Sequence, residues 1–350
     1  MTSESHEEVL FGFDRVSGLR SIIAIHSTVL GPALGGTRFF PYPDEAAALR
    51  DVLRLSQGMT LKASAAGLDL GGGKAVIIGN PATDGSERLF RAYGRVVDSL
   101  AGRFITAEDV GTSGSDMEMI HRETPWALGI PVEEGGSGDP SPSTGQGLMA
   151  ALRAVAIHIW NDDHLHGRRV AVQGVGKVGG ALVELLVDAG CEVVVSDIND
   201  EAVARAVDVY GVKAVEPDEI LSVPCDVLSP CAMGGVLDSA SIPRLRCEAV
   251  VGSANNQLAE DEDDLRLAAV GILYAPDFVV NSGGLINVAE ELSGYLPERA
   301  ARRVQGVGEA TGAILRRADQ TGTTPHRAAT EVAEERLAAI GELKRWRRRE

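Results

Sequence analysis

Basic charge, cysteine and long apolar runs are all in short supply in this chain. Against 50 acidic residues it carries 33 lysines and arginines, a formal net charge of −17. That balance offers phosphates nothing to offset their repulsion, which excludes nonspecific nucleic-acid binding and favours solubility. The four cysteines, Cys191, Cys225, Cys231 and Cys247, form no Cys-x-x-Cys pair and no metal-ligand spacing. Buried, reduced thiols in a cytosolic protein are the expectation. His164 and His166 flank Leu165 in a polar segment with no third ligand, so both read as solvated and no metal site is expected. No stretch reaches the roughly 18 apolar residues that a membrane span needs. The acidic, polar Met1–Val9 segment has no apolar signal core. The expected location is the cytoplasm, with neither membrane nor nucleic acid as partner.

What is present suits a soluble two-domain protein. The 350 residues exceed one ordinary domain, 44% hydrophobic content is ample for cores, and 24% charge suits a hydrated surface. Residues 19–30 read as a strand, followed by a glycine turn at 31–36. Asp44 to Gln57 has apolar residues at helical spacing, with Asp44 as its cap. Lys62 is expected after that helix. A β-rich run covers 75–78, a helix 87–100 and a strand 104–106. The stretch 133–147, dense in Gly, Ser, Pro and Thr, reads as a hinge. Beyond it a helix over 148–160 precedes repeated βαβ alternation: strands at 170–172, 191–196, 226–228, 249–251 and 272–274, and a helix near 178–188. That alternation implies a doubly wound parallel sheet. The expected class is α/β. It comprises an N-terminal α/β substrate and oligomerisation domain (1–135), a hinge (136–147), a Rossmann-like domain (148–325), and a C-terminal helix with a basic tail (326–350).

Two lysines stand out. Lys62 and Lys74 sit among Ala, Gly, Leu and Ile, with few carboxylates close in sequence. An ammonium there is expensive to keep charged; lowering its pKa by about 3 units corresponds to about 4 kcal/mol. Chains retain such a burden mainly where an amine binds an anion or moves a proton. The alternative is that both lysines bury their stems and hold their heads in water.

The second signal is Gly174-Val175-Gly176-Lys177-Val178-Gly179, which follows a predicted strand and opens a predicted helix. Gly174 permits the tight turn, Gly176 lets a pyrophosphate approach the backbone, and Gly179 lets helix and strand pack closely. The helix start adds unpaired N–H groups and a partial positive charge. Asp197 ends the next strand, where a carboxylate grips ribose hydroxyls and repels a 2′-phosphate. No arginine follows it. NAD is therefore favoured over NADP.

Taken in order, several segments resemble the glutamate/leucine/phenylalanine/valine dehydrogenase family, and specifically its leucine and valine branch. They are 31–38 (Gly-Pro-Ala-Leu-Gly-Gly-Thr-Arg), 58–78, 106–111, the Gly174 loop, 252–258 (Gly-Ser-Ala-Asn-Asn-Gln-Leu) and 281–284 (Asn-Ser-Gly-Gly). The resemblance runs from about Val9 to Ala339. It implies reversible oxidative deamination: an L-amino acid, water and NAD give a 2-oxo acid, ammonium and NADH. By similarity, Lys62 would hold the substrate carboxylate, helped by the amide of Asn281. Lys74 would be the catalytic amine, Asp109 would handle the substrate amine and its protons, and backbone at Gly35 and Gly36 would meet the substrate. Thr144 would contact the nicotinamide amide, and Asn255 or Asn256 its ribose. Bland readings stay open: Asp109, Thr144, Asn255, Asn256 and Asn281 all have residue types that also serve as caps or turn formers.

The same resemblance places Leu34, Ala107, Leu285 and Val288 around the substrate side chain. Glutamate enzymes have a lysine at the position of Leu34. An apolar residue there would leave a side-chain carboxylate unpaired at a penalty of several kcal/mol. Leucine, valine and isoleucine are the expected substrates, with phenylalanine or glutamate as alternatives. Leu285, where many leucine-branch sequences have valine, tilts preference toward valine by only about 1–3 kcal/mol. A homo-oligomer is implied by the family. A non-enzymatic dinucleotide-binding regulator would explain the Gly174 loop and leave Lys62, Lys74 and Asp109 without a task. A pyridoxal phosphate enzyme would instead use Lys74 as a Schiff base and make Asp197 redundant.

Overall fold

The glycine run at 31–36, which reads as a turn, instead enters a central strand. The computed structural model describes residues 6–343; the first five residues and the basic tail from Lys344 lie outside that range. The chain divides into two units, 1–139 with 288–297 and 333–350, and 140–287 with 298–332.

The first unit contains β1 (Glu8–Asp14), β2 (Leu19–Ser27), β3 (Ala33–Phe40), α1 (Glu45–Ala65), β4 (Gly71–Ile78), α2 (Pro81–Asp84), α3 (Glu87–Asp98), β5 (Phe104–Glu108) and α4 (Gly114–His121). Its five-stranded sheet has the order β1-β2-β4-β3-β5. β3, β4 and β5 run parallel, while β2 is antiparallel to both β1 and β4. Side chains alternate between faces. Ile22, Ala24 and Val76 pack against Ala48 and Val52 of α1. Ile23, Ile25, Ala75 and Ile77 pack on the other face with Leu89, Tyr93 and Val97 of α3 and Met117 and Ile120 of α4. Lys74 pairs with Ala24 and lies two residues before Val76, so it projects from the α1 face.

Glycine in these strands answers to crowding. A Cβ on Gly35 would lie 1.8 Å from the Gly73 carbonyl oxygen, and one on Gly72 would lie 2.1 Å from the Thr60 nitrogen of α1. Asp44 caps α1 as expected, accepting from the Ala47 N–H at 2.6 Å. The helix does not stop at Gln57. It passes through Gly58 to Ala65, so Lys62 lies in its last turn. A glycine interior to a helix costs about 1 kcal/mol relative to alanine; packing of Thr60 on Gly72 and of the buried Ala63 and Ser64 offsets that.

The second unit comprises α5 (Ser141–Trp160), β6 (Arg169–Gln173), α6 (Lys177–Asp188), β7 (Glu192–Ser196), α7 (Asp200–Tyr210), β8 (Lys213–Ala214), β9 (Val227–Pro230), β10 (Ala249–Val250), α8 (Asp263–Ala269), β11 (Leu273–Tyr274) and α9 (Asp277–Val280). The chain continues through α10 (Gly283–Ala289), α11 (Pro297–Thr321) and α12 (Pro325–Gly341). All six strands are parallel, in the order β8-β7-β6-β9-β10-β11. In strand sequence that is 3-2-1-4-5-6, the doubly wound arrangement whose ligand crevice opens at the carboxyl ends of the strands where the order reverses.

Helix α5 begins at Ser141, inside the stretch whose composition reads as a hinge. Its small residues serve packing: a Cβ on Gly145 would lie 3.3 Å from the Ala181 Cβ, and one on Gly147 3.3 Å from the Gly283 Cα. Pro142 stands in the first turn, where its missing N–H has no helical partner to lose. The four cysteines are free and half-buried rather than fully buried. No helix among the described residues is long and apolar enough to cross a membrane.

Candidate active site

In the first unit the site is built across three strands. Lys74 sits in the middle of β4, and Asp109 follows directly on β5. Lys74 Nζ lies 2.6 Å from Asp109 Oδ2, and the two side chains are only 8% and 18% exposed. Between them runs β3, where Gly36 pairs with Ala107. A Cβ on Gly36 would come within 2.8 Å of the Asp109 Cβ and 2.6 Å of the Glu108 carbonyl oxygen. Glycine at 36 is therefore what lets Asp109 reach over β3 to the lysine. The sequence neighbourhood of Lys74 shows few carboxylates; its partner arrives from a separate strand.

Arg38, one alternation beyond Gly36 on β3, brings Nε to 3.4 Å from the same Asp109 oxygen. Burial pushes the Asp109 carboxyl up, but Lys74 and then Arg38 outweigh it and hold the group below the usual carboxylate range. Arg38 Nη1 also donates to Asp51 Oδ2 of α1 at 2.9 Å, and the Tyr42 hydroxyl donates to that oxygen at 2.5 Å. Burial, followed by the bond to Asp51, raises the Tyr42 phenol well above its ordinary value. Thr112 closes the turn after β5, accepting from the Asp109 N–H at 2.9 Å and donating to the Thr37 carbonyl at 2.9 Å.

Lys62 is half-buried in the last turn of α1, the helix that covers this face. The end of that helix is held from the C-terminal part of the chain. Arg336 donates to the Leu68 carbonyl at 2.7 Å and to Asp69 Oδ1 at 2.7 Å, and Ser64 Oγ donates to the Ala333 carbonyl at 2.8 Å. Leu34 and Ala107 lie on the α1 face of neighbouring strands, 1% and 8% exposed. Leu285 and Val288 are both on α10, three residues apart and so on one side of it.

In the second unit the glycines at the end of β6 have the geometry a dinucleotide requires. Gly174 takes φ +94°, which favours glycine. A Cβ on Gly176 would meet nothing within 4 Å, leaving open space at the start of α6. One on Gly179 would lie 1.9 Å from the Gly174 carbonyl oxygen, so helix and loop touch. Lys177 and Val178 form the first turn of α6. Asp197 follows directly on β7 and accepts from the Val175 N–H at 2.7 Å and the Asn199 N–H at 2.9 Å. A carboxylate has about four acceptor positions, so two remain for ribose hydroxyls.

Four further residues take definite positions. Thr144 is not an N-cap; it lies in α5 and donates to the Pro140 carbonyl at 3.0 Å. Asn255 and Asn256 are exposed on the loop after β10, Asn256 with φ +53°. Asn281, expected to help hold the substrate carboxylate, donates its amide nitrogen to the Ser253 carbonyl at 3.1 Å and to Asn255 Oδ1 at 2.9 Å. The Ser253 carbonyl only accepts, which fixes the amide's orientation. The buried Asn281 Oδ1 has no hydrogen-bond partner among the described residues. It is an acceptor awaiting a donor.

The residues that sequence reading missed are the ones that act through others. Arg38 closes the quoted 31–38 segment, and Asp51 is a carboxylate beside the apolar stripe of α1; both signals were available. Arg336 carries no local signal, because its partners lie more than 200 residues away.

One unit carries a doubly wound parallel sheet with a glycine loop, and the other a sheet bearing a buried lysine–aspartate pair; together these are the parts of an amino-acid dehydrogenase. The comparisons agree. The chain matches the family models described as "Glu/Leu/Phe/Val dehydrogenase, dimerisation domain" over residues 6–126 and "Glutamate/Leucine/Phenylalanine/Valine dehydrogenase" over 135–203 and 195–343. It is 49% identical to a leucine dehydrogenase from Bacillus cereus over 335 residues, covering 96% of this chain and 92% of that one. It is also 49% identical to a valine dehydrogenase from Streptomyces virginiae over 336 residues, covering 95% and 94%. Among solved structures, L-tryptophan dehydrogenase from Nostoc punctiforme superposes with a TM-score of 0.82 at 42% identity, over 96% of this chain and 97% of that one. The chain belongs to the glutamate/leucine/phenylalanine/valine dehydrogenase family.

Proposed function

We propose that this protein catalyses the reversible, NAD-dependent oxidative deamination of branched-chain L-amino acids (leucine, valine and isoleucine). The products are the 2-oxo acid, ammonium and NADH. The observation that carries the chemistry is the 2.6 Å contact between Lys74 and Asp109 on a nearly closed face. The substrate class is supported by the relatives named leucine and valine dehydrogenases, each 49% identical, and by the apolar, fully buried Leu34. A glutamate side chain beside Leu34 would leave its carboxylate without a cation.

NAD fits the second unit. Gly174, Val175, Gly176, Lys177, Val178 and Gly179 would receive the pyrophosphate, Asp197 the ribose hydroxyls, and Thr144, Asn255 and Asn256 the nicotinamide end. The unpartnered Asn281 Oδ1 offers an acceptor to a hydroxyl or amide donor there. Asp197 disfavours a 2′-phosphate by like charge. When bound, the nicotinamide accepts the hydride from the substrate Cα.

The chain's own residues do the rest. Lys62 holds the substrate carboxylate as a fixed cation without a metal. Asp109 takes a proton from the substrate amine and returns one as ammonia leaves. Lys74 takes a proton from the water that adds to the imine carbon, hands it to Asp109, and then takes the hydroxyl proton as the carbinolamine collapses. Their short contact lets one proton pass between the two groups without entering bulk water. Gly35 and Gly36, without side chains, would let the substrate meet backbone.

The first unit also supports self-association. Its matching family model is named for dimerisation, and edge strand β1 leaves Phe11 53% and Phe13 66% exposed. An assay of NADH formation with leucine, using Lys74→Ala as control, tests the catalytic reading. Turnover should require Lys74; an unimpaired variant would remove it from the mechanism.

A further inference from the structure

We propose that Arg38 is a positioning residue for the Lys74–Asp109 pair: tethered to helix α1, it holds the Asp109 carboxylate in place opposite Lys74. This rests on the reading that Lys74 and Asp109 carry the proton chemistry.

The geometry is a line of alternating charge. Asp109 Oδ2 lies between Lys74 Nζ at 2.6 Å and Arg38 Nε at 3.4 Å. Arg38 is held in turn by Asp51 at 2.9 Å, and Tyr42 caps that same Asp51 oxygen. At 3.4 Å the Arg38–Asp109 contact acts through charge, not through an aligned hydrogen bond; the buried Arg38 Nε–H has no hydrogen-bond partner among the described residues. A second cation therefore shares the carboxylate oxygen that Lys74 pairs with. When Lys74 exchanges protons during turnover, Asp109 still faces a permanent positive charge, because a guanidinium does not deprotonate in a protein.

The groups facing Asp109 are few. Lys74 comes from β4 and Arg38 from β3, with Asp51 of α1 and Tyr42 of the β3–α1 loop behind Arg38; the Val110 backbone N–H also points at the carboxylate. Further along α1 stands Lys62. Because Asp51 and Lys62 share one helix, the Arg38–Asp51 bond also registers the substrate-carboxylate lysine against the sheet that bears the proton pair. Lysine in place of Arg38 would keep the charge and lose the fork that meets both acids.

The test is the pH dependence of leucine deamination by the full-length enzyme with saturating NAD, for the parent, Arg38→Gln and Arg38→Lys. Removing an opposite charge at this range raises a carboxyl pKa by about one unit or more. The acid limb of kcat/KM should therefore move up by about one pH unit in Arg38→Gln and by less in Arg38→Lys. kcat should fall about 10- to 100-fold in Arg38→Gln and recover partly in Arg38→Lys, with KM for NAD unchanged. An acid limb that superimposes on the parent's in both variants overturns the proposal, as does a loss confined to KM. If Arg38→Gln does not fold, Arg38→Lys alone decides: a parental profile with parental kcat overturns the fork. Asp109→Asn, assayed alongside, separates the two claims. Full turnover in that variant would sink the underlying reading, whereas its loss with unshifted Arg38 variants would sink only the role given to Arg38.

Discussion

The Val175 amide donates to Asp197 Oδ2 at 2.7 Å. The carboxylate that would grip ribose hydroxyls thus also pins the glycine loop that would cradle the pyrophosphate. The end of β7 and the end of β6 form one device, in which the acidic residue shapes the loop before any ligand arrives.

Asp197→Asn should therefore weaken NAD more than the loss of one ribose contact suggests. Hydrogen bonds to charged groups contribute about 1.5–3 kcal/mol, so KM for NAD should rise about 10- to 100-fold with little change in KM for leucine. Without the negative charge, the ratio of NADP to NAD turnover should increase. Steady-state kinetics with both dinucleotides would check this; an unchanged ratio would show that Asp197 does not discriminate.

Gly36 should tolerate no side chain. The added carbon of Gly36→Ala would fall 2.6 Å from the Glu108 carbonyl oxygen and 2.8 Å from the Asp109 Cβ, so Asp109 must move away from Lys74. The expectation is a loss of at least about 100-fold in kcat/KM, since small misplacements of reacting groups have effects of that order. Circular dichroism should show the fold retained. Near-parental activity would mean that Asp109 need not reach across β3.

Arg336 holds the Leu68 carbonyl and the Asp69 carboxylate beyond the end of α1, the helix whose last turn bears Lys62. Arg336→Ala should raise KM for the amino acid several-fold while KM for NAD stays put, because only the carboxylate-binding end loosens. Arg336→Lys should fall between. Equal changes in both Michaelis constants would point to general destabilisation instead.

The Lys74–Asp109 pair also carries a stability prediction with a definite sign. Asp109 titrates below the ordinary 3.8 in the folded state, despite burial, because Lys74 and Arg38 face it. Its contribution is present above the unfolded value and is lost as pH falls through the folded one. Asp109→Asn leaves Lys74 buried without its partner and should cost about 3 kcal/mol at pH 7. That difference should shrink as pH drops below about 4. Urea unfolding across that range would measure it; a gap that widens in acid would contradict the assignment.

Much of this molecule was legible in its sequence, and the failures share a cause. The doubly wound sheet, the Gly174 loop and Asp197 follow local rules of turn and periodicity, and the strand order bears out the sheet. Two misreadings came from small residues. Glycines at 31–36 and Gly58 read as breaks, yet each sits in or enters a strand or helix where a neighbour leaves no room for a side chain or packing carries the chain through. Single-sequence reading cannot tell a glycine needed for space from one needed for conformation. The chemistry was half visible. Lys62 and Lys74 stood out by type and context, and Asp109 through the family resemblance, but Arg336 acts only through contacts that folding creates.

The most direct test of the account is kcat/KM for NADH formation with leucine, valine, isoleucine, phenylalanine and glutamate, measured side by side with NAD. The branched aliphatic substrates should lead, within about 100-fold of one another, with phenylalanine below them and glutamate scarcely turned over. A preference for glutamate, or no amino-acid-dependent NADH from a protein that binds NAD, would contradict it.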